Sequence, residues 1–134
     1  MRSFLRYWLP LFSYVAAIFL LSSFSRVPLL SSLGIWDKLL HFIEYALLAT
    51  LTVRMLRATP WPRTQWSAWL MGLLTVALLG ALDEIFQGTV PGRSSDIFDF
   101  LADVLGGATG GGAYLLLKWF FTRREKAPEV LSVP

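Results

Sequence analysis

Four long apolar stretches separated by short polar segments organise this chain. The first runs from Trp8 to Phe24 without a charge and closes at Ser25-Arg26. The second starts near Trp36 and continues to about Val53, interrupted by His41 and Glu44. The third runs from Trp66 to Leu82, again uncharged, and stops at Asp83-Glu84. The fourth runs from Ile97 to Phe121, interrupted by Asp99, Asp103 and Lys118. At about 1.5 Å of rise per residue, each stretch as a helix crosses most of a hydrocarbon layer about 30 Å thick. Helices are the required form, because the open edges of a sheet cannot be satisfied in lipid. The pattern therefore predicts an all-α integral membrane four-helix bundle. Its spans fall at about 8–26, 37–57, 65–86 and 96–121, forming one domain over residues 1–134 with a tail from 122. Tyr7, Trp8, Trp36, Trp61, Trp66 and Trp119 sit near the span ends, where interfacial aromatic residues belong.

Composition agrees with this reading. Of 134 residues, 55% are hydrophobic and only 16% charged, with a mean hydropathy of +0.57. Disorder needs the opposite balance. The absence of cysteine excludes a disulfide scaffold and a zinc-finger type of cysteine site. The first stretch, with Arg2 and Arg6 before it and Ser22-Ser23-Phe24-Ser25 at its end, also has the outline of a secretory signal peptide. It is long for that role, and Pro10 at its start suits a retained membrane helix, which is the expected state.

Charge sets an expected orientation. Nine basic residues (Arg2, Arg6, Arg54, Arg57, Arg63, Lys118, Arg123, Arg124 and Lys126) fall on one side, and Arg26, Lys38 and Arg93 on the other. The positive-inside rule places the nine in the cytoplasm together with both chain termini. The basic balance is thus a signal of topology; no nucleic-acid partner is expected, because that would call for a basic face on a soluble module.

The acids require a separate cause. Seven of nine lie on the outer side or in the outer halves of the spans, giving 3 − 7 = −4 there and 9 − 2 = +7 inside. Asp37, His41 and Glu44 share a helix face at i, i+4 and i+7. Asp83 and Gln87 are at i and i+4, and Asp96, Asp99 and Asp103 at i, i+3 and i+7. A carboxylate at membrane depth costs about 2.5–3.5 kcal/mol even on insertion scales, so such groups face the bundle interior and pair. Lys38, His41, Arg93 and Tyr45 are the partners at hand, with Arg93 expected to neutralise Asp83 and Asp99 and Lys38 expected at Asp37. Plainer roles also exist: Asp37 and Asp96 as N-caps, Glu84 as a solvated charge, Arg93 as a turn residue in Pro91-Gly92-Arg93, His41 as an ordinary interface histidine. Asp103 and Glu44 lie away from helix ends and fit those roles least. The candidate pocket residues are Asp37, Lys38, His41, Glu44, Tyr45, Asp83, Glu84, Gln87, Arg93, Asp96, Asp99 and Asp103.

The segment Gly106-Gly107-Ala108-Thr109-Gly110-Gly111-Gly112 holds overlapping pairs of small residues four apart, which let membrane helices approach closely. It is not a phosphate loop, since no strand precedes it and Lys118 does not follow the last glycine. An unwound helix is the alternative there.

Asp37-Lys38-Leu39-Leu40-His41 with Tyr45, Asp83-Glu84-Ile85-Phe86-Gln87, and Pro91-Gly92-Arg93 with Asp99 and Gly106 resemble the motifs of the VanZ-like membrane proteins. The resemblance spans about residues 36 to 112. The family pattern usually has Asn where this chain has Asp103. The resemblance implies a small multi-pass protein of the bacterial cell membrane, and the name-giving members are associated with resistance to teicoplanin, a lipid-tailed glycopeptide. Two function classes follow. One is a module that binds an envelope lipid, a lipid-linked precursor or an amphiphilic antibiotic, with no cofactor. The other is a small membrane enzyme acting on such a lipid, using His41 and carboxylates as base and acid or to hold a divalent cation. Oxygen-rich ligation favours magnesium, calcium or manganese over zinc. No nucleophile motif such as G-x-S-x-G is present, and Ser94 and Ser95 read as turn or capping residues. A dimeric four-helix transporter is a weaker third class, because the ionisable groups lie at the outer end and not at the midplane; self-association stays open.

Single cysteines placed at Thr89 and Thr64 test the orientation. An impermeant thiol reagent applied to intact cells is expected to label position 89 and not position 64. Labelling at 64 alone would invert the topology.

Overall fold

The computed structural model describes residues 2–24, 34–62 and 64–125. Arg26, Arg63, Lys126 and Glu129 of the charge pattern, Ser25 of the signal-like stretch, and the chain beyond 125 lie outside those residues. Within them the fold is all helix. A π-helical turn at Phe4–Trp8 leads into α1 (Leu9–Ser22), followed by α2 (Gly34–Leu56), α3 (Gln65–Gln87) and α4 (Ile97–Glu125). Pro10 sits in the first turn of α1, where its missing N–H costs nothing. Thr64 caps α3 by accepting from the Ser67 amide at 3.0 Å, and the Ser67 hydroxyl reaches back to the Thr64 amide at 3.2 Å. The helix starts differ from the hydropathy boundaries. α2 begins three residues before Asp37, so Asp37 lies in its first turn and is not an N-cap.

The helices alternate in direction. The end of α1 meets the end of α3, where Gln87 faces Ser22, and the start of α2 meets the start of α4, where Lys38 faces Asp96. At the opposite end Arg54 lies over the ring of Tyr7 at 5.2 Å. All four helices are long and apolar enough to cross a membrane. Their outward surface is apolar: Leu70, Leu74, Leu78, Leu82 and Ile85 form an exposed stripe down α3. In water such a stripe would be an aggregation hazard; hydrocarbon solvates it. The arrangement is that of a multi-pass membrane protein, apolar outside and polar at one end of its interior.

α2 is the central helix. Its buried face carries His41, Tyr45, Leu48, Ala49, Thr52 and Val53, a 3.6-residue rhythm that faces both α3 and α4. α3 meets it with a column of mostly small residues, Ala68, Gly72, Val76 and Gly80. α4 lies against α2 most closely of all, running parallel to it. A Cβ at Gly106 would collide with the Phe42 carbonyl oxygen, and one at Gly110 with the Ala46 carbonyl oxygen. Glycine is required at both positions because the two backbones touch. The glycine-rich segment therefore packs and does not unwind, and α4 is continuous through it. The Thr50 hydroxyl sits beside this contact, 3.2 Å from the Gly110 carbonyl oxygen, and Trp69 Nε1 donates to the Ala108 carbonyl at 3.0 Å.

Gly110→Ala is expected to destabilise the bundle by about 1–3 kcal/mol through overpacking. Gly112→Ala is the control, because a Cβ there meets Trp69 Nε1 at an ordinary 3.6 Å. Thermal unfolding in detergent should show a lowered midpoint for the first variant alone; equal midpoints would contradict the contact.

Candidate functional site

Three helices deliver the polar residues to one end of the bundle. α2 supplies Lys38, His41 and Tyr45, α3 supplies Asp83, Glu84 and Gln87, and α4 supplies Asp99 and Asp103, with Asp96 at its N-cap. Asp96 joins all three. Its Oδ1 accepts from the Phe98 amide at 2.8 Å, as a cap should, and its Oδ2 accepts from Lys38 Nζ at 2.8 Å. Its own amide donates to Glu84 Oε2 at 2.7 Å. Capping and ion pairing are thus one device.

Lys38 Nζ also donates to Asp99 Oδ1 at 2.9 Å. The pair is lopsided in depth: the Lys38 and Asp96 side chains are each 36% exposed, and Asp99 is sealed at 1%. The network therefore reaches the surface at its rim and is closed at its floor. On that floor His41 Nδ1 lies 2.9 Å from Asp103 Oδ1 and 3.9 Å from Glu84 Oε1. A carboxylate only accepts, so a hydrogen bond between His41 and ionised Asp103 puts the proton on Nδ1. Gly80 makes room for Asp103, because a Cβ there would stand 2.8 Å from Asp103 Oδ2. The Tyr45 ring is parallel to that of His41, with centroids 6.4 Å apart, and its hydroxyl donates to the Leu79 carbonyl at 3.4 Å.

A second group ties α1 to α3. Gln87 Nε2 donates to Asp83 Oδ2 at 2.8 Å and to Ser22 Oγ at 3.4 Å. Gly92, at φ +81°, turns the loop after α3 with a left-handed residue that glycine adopts freely. Arg93 Nη1 then donates to the Ser22 carbonyl at 3.5 Å. Glu44 is half-buried on the side of α2 that faces α1, in electrostatic reach of Asp83 and Arg93, and its backbone carbonyl accepts from the Tyr14 hydroxyl at 3.2 Å.

Several expectations change on this geometry. Among the described residues Lys38, not Arg93, is the cation on Asp99, because α2 and α4 are in direct contact and the loop carrying Arg93 sits over α1. Of the two roles open to Glu84, pocket residue and solvated charge, the first holds: it is buried and aimed at His41, since α3 turns its Asp83-Glu84 edge into the bundle. Ser22 and Gly80 are site residues that sequence reasoning missed. A lone serine in the last turn of an apolar helix was the available signal for the first; nothing marked the second.

Buried polar atoms at this end exceed their partners. Asp83 Oδ1, Glu84 Oε1, Gln87 Oε1, Arg93 Nε and Asp103 Oδ2 have no hydrogen-bond partner among the described residues. Leaving such a group unmet costs about 1–3 kcal/mol. Two sets, Asp37–His41–Asp99 and His41–Glu84–Asp103, each bring one ligand atom per residue within 4.8 Å of one another. Imidazole nitrogen with carboxylate oxygens is a donor set that divalent cations accept. A concavity of about 570 Å³ near the opposite end, lined by Trp66, Trp69, Leu116 and Trp119, is apolar and offers no comparable chemistry.

Fold and site together define a four-span membrane bundle with an acid-rich polar interior at one end. The VanZ/LLP1 family model matches residues 2–118, and the chain belongs to that family. Comparison with curated proteins finds no match. Comparison with solved structures also finds none.

Lys38→Met is expected to destabilise the bundle by roughly 2 kcal/mol. That lies below the 3–5 kcal/mol for breaking a fully buried pair, because Lys38 is part-exposed. Arg93→Met should cost less, and Asp99→Asn combined with Lys38→Met should recover part of the loss. Chemical denaturation in detergent measures all three; a neutral Lys38→Met would contradict the pairing.

Proposed function

We propose that the protein binds a membrane amphiphile of the bacterial envelope, a lipid, lipid-linked precursor or lipoglycopeptide, through its headgroup at the polar end of the bundle. The observation that carries this reading is the convergence of buried, incompletely satisfied carboxylates at one end of an otherwise apolar molecule. Asp83, Glu84 and Asp103 are all buried, and Asp83 Oδ1, Glu84 Oε1 and Asp103 Oδ2 have no hydrogen-bond partner among the described residues. A cationic or hydroxyl-rich headgroup supplies the donors that these oxygens lack, while its chains remain in lipid beside the exposed leucines. The rim at Lys38 and Asp96 is the point of entry.

Orientation supports the same reading. Arg2, Arg6, Arg54, Arg57, Lys118, Arg123 and Arg124 gather at the end away from the site, so the positive-inside rule turns the acidic end outward in the cell membrane. Outer-leaflet exposure suits an amphiphile met at the cell surface, and the teicoplanin link of the family's name-giving members concerns such a molecule.

A second reading has one observation in its favour. His41 held against Asp103 is an imidazole–carboxylate pair of the kind that transfers protons, which a small lipid-modifying enzyme would use. Binding ranks first because no nucleophile motif accompanies the pair.

Native mass spectrometry of the full chain, extracted in mild detergent, tests the proposal. The wild type should retain an amphiphile with a polar headgroup. Asp83→Asn should weaken its retention by about 1.5–3 kcal/mol, roughly ten- to a hundredfold, through loss of charged hydrogen bonds. A bare wild-type chain, or equal retention by the variant, would overturn the binding reading. Conversion of the retained molecule to one of different mass would favour the enzyme.

A further inference from the structure

We infer that His41, Glu84 and Asp103 form a divalent-cation site on the floor of the polar end, with one ligand each from α2, α3 and α4, suited to Mn²⁺. The ligand atoms lie within 4.8 Å of one another. His41 Nδ1 is 2.9 Å from Asp103 Oδ1 and 3.9 Å from Glu84 Oε1, separations that two ligands of one cation can adopt once the cation displaces the Nδ1 proton of the metal-free chain to solvent. All three side chains are more than nine-tenths buried.

The orphaned oxygens supply a second, independent observation. Glu84 Oε1, the atom turned to His41, has no hydrogen-bond partner among the described residues, and neither has Asp103 Oδ2. Among the described residues Lys38 spends its ammonium on Asp96 and Asp99, not on these two carboxylates. Buried charges that persist are paired or hold metals. A divalent cation neutralises both carboxylates and satisfies the oxygens in one step.

The donor set selects the metal class. One imidazole with two carboxylates is harder than the sites that zinc and copper favour and softer than an all-oxygen cage for magnesium or calcium. Manganese accepts both donor types. The alternative set through Asp37 and Asp99 shares His41, but Asp99 already bonds Lys38, so the deeper set is the better one. Three protein ligands leave coordination positions open, as in metal sites that bind a substrate oxygen. Those positions suit a hydroxyl oxygen of the headgroup. That last step rests on the headgroup reading above; the cation site itself does not.

His41 is the single histidine of the chain, which makes a spectroscopic test decisive. The probe is Mn²⁺ added to the tag-free, chelator-treated full chain in detergent, followed by electron paramagnetic resonance. The expected result is one bound Mn²⁺ per chain, with pulsed spectra showing a directly coordinated imidazole nitrogen. His41→Gln should abolish that nitrogen coupling, and Asp103→Asn should weaken Mn²⁺ binding about tenfold or more. The wild-type spectrum alone decides the matter if either variant fails to fold. No binding at millimolar Mn²⁺, or bound Mn²⁺ without nitrogen coupling, overturns the site. Loss of amphiphile retention with the manganese spectrum intact would count against the headgroup reading and leave the cation site standing.

Discussion

The backbone contact between α2 and α4 governs what the polar end can be. With glycine at 106 and 110, α4 lies directly on the Phe42 and Ala46 carbonyls. That closeness sets the axial register of two parallel helices, and the register puts Lys38 beside Asp99 and His41 beside Asp103. A side chain at either glycine would lift α4 away, and short hydrogen bonds a few residues toward the site would lengthen together. Packing and electrostatics are therefore not separate contributions in this molecule. Van der Waals contact at the glycines holds buried charge at hydrogen-bonding distance.

α3 then closes the site by a related device. Its small residues at 72 and 80 admit Val53 and Asp103 as close neighbours, which turns Asp83, Glu84 and Gln87 inward. Glu84 reaches both the Asp96 amide and the edge of His41. The three helices are thus laced by groups that are individually costly in a membrane. Each is tolerable only because another stands opposite, and the oxygens without an opposite are where ligand chemistry becomes available. Such an interior explains why the acids gather at one end although topology requires only the placement of basic residues.

Much of this was legible in the residues, for physical reasons. Span existence follows from apolar length, and the Asp83–Gln87 and Asp96–Asp99–Asp103 stripes follow from 3.6 residues per turn; on α2 the expected Asp37–His41–Glu44 stripe gives way to Lys38, His41 and Tyr45, with Glu44 half-buried on the side facing α1. The glycine spacing announces a close helix contact but not the partner, because periodicity carries no information about which neighbour a face meets. For that reason Lys38 takes the Asp99 contact expected of Arg93, while Arg93 reaches the Ser22 carbonyl. Helix ends were the other blind spot. Asp37 looks like a cap by residue type, yet α2 starts earlier, at Gly34, with Ile35 and Trp36 exposed before it. Ser22 reads only as part of a signal-like end, because a hydroxyl in an apolar helix has no pattern and its role exists only where the ends of α1 and α3 meet.

The central claim is that His41 is sealed in the bundle against the Asp103 carboxylate. Nitrogen-15 nuclear magnetic resonance of the imidazole, in the metal-free chain in detergent, reads this directly. The expected result is a distinct, slowly exchanging Nδ1 proton whose resonance moves when Asp103 is replaced by Asn. An imidazole in rapid exchange with water, with resonances indifferent to Asp103→Asn, would contradict it.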